Sequence, residues 1–118
     1  MFGHIAATPA AKNEDRDKMT LDEYGEWAAT IPKPEHPSRE QRLAYLCLGL
    51  AGEAGEVADT LRRGMRDGRL NEDRLAYELA DLLFHWVSLC AELGLQPSAL
   101  IAAGRAHIEE RVAARSVA

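Results

Sequence analysis

The chain has 118 residues, of which 47% are apolar and 28% charged. Those proportions exclude a disordered or fibrous chain, and the length bounds a single domain with one core. A formal charge of −5 argues against long nucleic acid, which calls for a basic face, but it is compatible with a small anion escorted by divalent cations.

Residues 1–18 read as a flexible polar lead-in, and the folded domain is placed at 19–115. Thr20 and Glu23 in "TLDE" have capping-box spacing, which predicts a first helix over about 21–30. "IPKPEHPS" carries too many prolines to be anything but a connector. Ser38 and Gln41 repeat the capping spacing and open a long second helix expected to end near Gly64. "RDGRLN" is a polar turn, and Asn71 is placed to cap a third helix reaching Leu93, with Gly94 as its stop. A fourth helix should begin near Pro97 or Ser98 and fray around 111–115. Nothing alternates with period two for long enough to form a strand. The expected fold is all-α, an oligomeric antiparallel helical bundle of four main helices.

The expectation of a homo-oligomer comes from the third helix. Leu82, Leu83, Phe84, Trp86, Val87, Leu89 and Cys90 cover nearly every direction around its axis, and such a helix must be enclosed on all sides. In the second helix, Gly49, Gly52 and Gly55 each cost about 1 kcal/mol relative to Ala, a cost that close approach of another backbone or a ligand would offset. Cys47 and Cys90 lack the spacing of a disulfide framework or a zinc site and are expected as buried thiols. No stretch reaches the ~20 apolar residues of a membrane span, and the N-terminus has no signal-peptide core. The expected location is the cytoplasm.

Four carboxylates carry the chemistry. Glu53 and Glu56 in "LGLAGEAGEVAD" lie three residues apart, as do Glu78 and Asp81 in "YELADLLFHW". At 100° per residue each pair forms a narrow stripe, the first bordered by Leu46, Leu50 and Val57, the second by Leu75, Leu82 and Leu89. Packed antiparallel across the short turn, the two stripes come level. Four carboxylates at a half-buried place repel, and all-oxygen ligation by hard ions, Mg²⁺ or Mn²⁺, relieves that repulsion. Arg62, Arg63, Arg66 and Arg74 sit towards the turn rather than among the acids. A single ExxE is ordinarily a solvated surface feature; two on adjacent apolar helices point to metal. A ferritin-like di-iron site is the weaker metal reading, because its Glu-x-x-His spacing is absent. His85, one turn beyond Asp81, is one imidazole.

"MTLDEYGEWAATI", "LGLAGEAGEVADTLRR" and "YELADLLFHWVSLCAELGLQPSAL" resemble, in order, the helices of the MazG-like all-α nucleoside triphosphate pyrophosphohydrolases, from about Met19 to Arg111. The family signature is an ExxE helix followed 12 to 28 residues on by ExxD, and 21 residues separate Glu56 from Glu78. The resemblance implies Mg²⁺-dependent hydrolysis of an NTP or dNTP to the monophosphate and pyrophosphate, a dimer or tetramer, and a house-cleaning role. It assigns Glu53, Glu56, Glu78 and Asp81 as metal ligands; Glu53 or Glu56 is then expected to orient or deprotonate the water, with Glu53 favoured, and Asp59 is either an outer partner or a solvated acid. The chain departs from the pattern at Gly52, where the family has a first glutamate, at Phe84-His85 for Trp-Tyr, and at Gly104 and His107 for an Asn and a Lys. Phosphate contacts are then expected from Arg62, Arg63, Arg105, Arg111, His107 or His85, and base contacts from Trp27 or another aromatic. The alternatives are a phosphoribosyl-nucleotide pyrophosphohydrolase and a non-enzymatic helical interaction module.

Overall fold

The computed structural model describes residues 14–117, and every described element is a helix, joined by turns and irregular connectors. A single helical turn at Glu14–Asp17 replaces part of the expected polar lead-in; the rest of that expectation lies outside the described residues. Four main helices follow: α1 (Leu21–Ala29), α2 (Arg39–Asp67), α3 (Glu72–Glu92) and α4 (Pro97–Val117).

Their starts follow from side chains that satisfy the free first-turn N–H groups. Thr20 accepts the Glu23 N–H at 3.1 Å while the Glu23 carboxylate accepts the Thr20 N–H at 3.1 Å, a complete capping box. Ser38 accepts from the Gln41 N–H at 3.2 Å, and Asn71 from the Arg74 N–H at 3.0 Å. The start of α4 is capped from another helix. Asp22 of α1 accepts the Ser98 N–H at 2.8 Å and the Ser98 hydroxyl at 2.5 Å.

The end of α2 departs from expectation. The helix runs through Gly64 to Asp67 and stops at Gly68, whose φ of 72° is left-handed. Gly64 serves packing instead: a Cβ there would stand 3.0 Å from the Leu70 Cα of the returning chain. Gly94, with φ 70°, ends α3 as expected.

Helices α2 and α3 form an antiparallel hairpin. As the position on α2 rises through Arg42, Gly49 and Glu53, its neighbour on α3 falls through Glu92, His85 and Asp81. Helix α1 lies on α3, with Trp27 edge-on to Phe84 and Gly25 against Val87 and Pro97. The fully or nearly buried apolar residues are Ala28, Leu46, Ala76, Val87 and Cys90. Cys47 is exposed rather than buried, because it points away from the hairpin seam.

Helix α3 is not enclosed within one chain. Val87 and Cys90 are buried, but Leu79 and Leu83 remain 43% and 40% exposed. Among the described residues, no single helix is long and apolar enough to cross a membrane.

Candidate functional site

The hairpin register brings three of the four singled-out carboxylates together. One oxygen each from Glu53 on α2 and from Glu78 and Asp81 on α3 lie within 4.8 Å of one another. Glu78 is buried, Glu53 half-buried and Asp81 exposed, so the cluster is closed at one end and open at the other. The crowding is visible in Glu53, whose carboxyl is pushed above its ordinary value of 4.5 by burial first and by Asp81 next; His85 works against the shift, and Glu78 and Glu56 add to it.

Glu56 stands apart. Its carboxylate lies 3.9 Å from Nη2 of Arg74, and the same nitrogen lies 3.3 Å from Glu78 Oε1. Arg74 is therefore among the acids, contrary to its expected place by the turn. The available signal was its i, i+4 spacing to Glu78, which puts both on one face of α3.

His85 and Gly49 form the far wall. The His85 Nδ1 is 2.9 Å from the Asp81 carbonyl oxygen; a carbonyl only accepts, so Nδ1 carries a hydrogen and donates it there. The ring lies against Gly49 so closely that a Cβ there would meet Cδ2 at 2.7 Å. The glycine is thus needed for the ring's position. Gly52 and Gly55 have no such neighbour, with nothing within 4 Å of an added Cβ.

An aromatic wall from α1 borders the acids. The Tyr24 hydroxyl is pushed above its ordinary value of 10.0 by burial and then by the Asp81 charge. Tyr24 stacks on Trp27 with centroids 5.7 Å apart, and Trp27 stays 46% exposed. These two rings, with Met19, Thr20 and Leu83, line a cavity of about 680 Å³, within the size range of small-molecule sites.

The two helices of the hairpin carry the ExxE and ExxD pairs, and three of the four acids named from the resemblance converge while Glu56 does not. The MazG nucleotide pyrophosphohydrolase domain family matches residues 11–102. The chain belongs to that family. This MazG domain is also 36% identical over 56 residues to the "Gene 37 protein" of Mycobacterium phage L5, a match covering 43% of this chain and 49% of that protein. The matched part is about half of the phage protein's length. No solved structure matches.

The remaining expected site residues are placed less favourably in the MazG domain. Asp59 pairs with Arg62 at 2.7 Å and with Arg63 at 2.9 Å, so those two arginines are held by an acid one turn beyond Glu56. Arg105 pairs with Glu109 at 2.7 Å on α4, where His107 and Arg111 are likewise exposed. Helix α4 packs on α1, and within one chain it brings none of the three to the acids.

The donor set fits a hard divalent cation. All three convergent atoms are carboxylate oxygens, the ligands that such ions select, and the Glu53 carboxyl is raised by burial first and by the Asp81 charge next, both of which a cation beside it would offset.

Proposed function

We propose that this MazG domain hydrolyses nucleoside triphosphates to the nucleoside monophosphate and pyrophosphate, with Mg²⁺ held by Glu53, Glu78 and Asp81 and joined by Glu56. The observation that carries the reading is the convergence of three carboxylate oxygens from two helices within 4.8 Å. Bound there, Mg²⁺, or Mn²⁺ in its place, offsets triphosphate charge and acidifies a water.

The chain's own residues supply the rest. Glu53, the half-buried carboxylate that α2 brings to the cluster, is the one favoured to take a proton from the attacking water. The water oxygen bonds to the α-phosphorus, the bond from that phosphorus to the bridging oxygen breaks, and pyrophosphate leaves. Asp81 is the exposed member of the cluster and faces the incoming phosphates. His85 fixes the wall behind it through the Asp81 carbonyl and Gly49. Trp27 and Tyr24 offer a stacked aromatic face of the kind on which any base settles, beside a cavity large enough for a nucleoside.

The proposed assembly is a homo-oligomer in the cytoplasm, and the proposed role is removal of unwanted nucleotides. Self-association is supported by large apolar side chains left in water, Leu48 at 73% and Met65 at 78% exposed on α2 and Ile108 at 58% on α4. Exposed apolar surface marks interfaces where it is contiguous.

Incubation with Mg²⁺ and a panel of canonical and damaged NTPs and dNTPs tests the activity. Pyrophosphate, not single phosphate, is the expected product, and Glu78→Gln and Asp81→Asn should each lower turnover about a hundredfold or more. Full activity in either variant sinks the ligand assignment. No turnover of any nucleotide, with no Mg²⁺ uptake, identifies a helical interaction module instead.

A further inference from the structure

The acidic cluster already holds one cation of the protein's own. A single guanidinium nitrogen of Arg74 stands 3.3 Å from Glu78 and 3.9 Å from Glu56. Glu78 is buried and belongs to the convergent trio, whereas Glu56 is exposed and lies outside it. The bridge therefore does two things at once. It neutralises the most buried acid, and it stands between that acid and the fourth carboxylate.

We infer that Arg74 is a built-in competitor for the divalent ion: its guanidinium bridges Glu78 and Glu56 in the metal-free domain, and Glu56 enters the ligand set only when that bridge opens. This rests on the metal reading proposed above. Arg74 suits the role because it is tethered by its own N–H to Asn71 at 3.0 Å while its side chain remains half in water. It pairs with the buried Glu78 one turn along its helix through a guanidinium that is itself half in water, and helix pairs of this spacing stabilise only slightly, so a divalent ion can displace it. The guanidinium cannot lose its charge, so the competition is governed by metal concentration rather than by its own protonation.

Calorimetric titration with Mg²⁺ and with Mn²⁺, without nucleotide, tests the inference on the full chain and on Arg74→Met, Glu56→Gln and the double variant. Arg74→Met should tighten binding about three- to fivefold, the span set by losing a half-exposed ion pair. In the Glu56→Gln background the same change should tighten binding by less than half that factor, because one of the two acids held by the bridge is gone. Equal tightening in both backgrounds means that Arg74 acts only as a nearby positive charge, and overturns the inference. So does an Arg74→Met protein that binds as the parent does or more weakly. Arg74→Gln carries the same test if Arg74→Met does not fold. A parent protein that takes up neither ion overturns the metal reading itself, an outcome distinct from a parent that binds with Arg74 making no difference.

Discussion

Replacing Glu53 by Gln should stabilise the metal-free domain near neutral pH. In the fold, Glu53 holds its proton more tightly than at its ordinary value of 4.5, chiefly through burial and then Asp81. Ionising it there is unfavourable, so the penalty is absent below 4.5, grows as pH rises through the higher folded value, and is complete above it. Heating scans in EDTA between about pH 4 and pH 7.5 should show a Glu53→Gln advantage that widens towards neutrality. With saturating Mg²⁺ the order reverses, because only the parent gains full stabilisation from the ion. A difference independent of pH would mean that the carboxylate feels no crowding. At this scale the sequence was most informative where geometry is stiff. Glu53, Glu78 and Asp81 were legible because helical rotation per residue is fixed, and their Cβ directions with it. Glu56 and Arg74 were not, because long side chains choose among rotamers and a nearby opposite charge decides the choice. Cys47 was misjudged as buried because an apolar neighbourhood in sequence says nothing about which way its helix face turns.

Helix starts were read nearly to the residue, since a cap is a local hydrogen bond written within four positions. Thr20, Ser38 and Asn71 all accept from the third residue onward. The end of α2 was harder, because a glycine has two uses. Gly64 fits the close pass of Leu70 and Gly68 supplies the left-handed turn, and only the tertiary structure separates them. The cap on α4 was beyond local reading altogether, with Asp22 and Ser98 lying 76 positions apart. That long-range cap carries a prediction. Ser98's hydroxyl and then its N–H hold the Asp22 carboxyl below its ordinary value of 3.8. Its stabilisation is therefore present above that value and is lost as pH falls through the lower folded one. Asp22→Ala should speed amide exchange in the first turn of α4 at neutral pH and lower the melting temperature. Asp22→Asn, which keeps an accepting oxygen without the charge, should fall between. Unchanged exchange at Ser98 in Asp22→Ala would show that the α4 start is held by Pro97 packing on Gly25 alone.

For the whole molecule, the apolar wrap of α3 was legible as a demand for cover, and one chain meets it only in part. Val87 and Cys90 are covered by the other helices, while Leu79 and Leu83 are left in water. Helix α2 has the same imbalance on its outer side, where Leu48 is 73% exposed and an added Cβ at Gly52 or Gly55 meets nothing within 4 Å. A glycine inside a helix costs about 1 kcal/mol relative to Ala, so an isolated protomer should gain up to about that much stability from Gly55→Ala. The proposed oligomer reverses the sign. If another backbone approaches this face, the added methyl obstructs it, and the variant should dissociate at higher concentration than the parent and melt lower in dilute solution. Sedimentation across a range of protein concentrations, with matched heating scans, separates the two outcomes. A Gly55→Ala protein that melts higher and assembles as before would move the interface off α2 and onto the exposed apolar side chains of α4, Ile101, Ile108 and Val112. The same measurement bears on catalysis. Arg105 pairs with Glu109 on its own helix rather than with the convergent acids, so an assembly through α4 is the arrangement in which Arg105 and His107 would meet a neighbour's phosphates, whereas assembly through α2 leaves them outside the site.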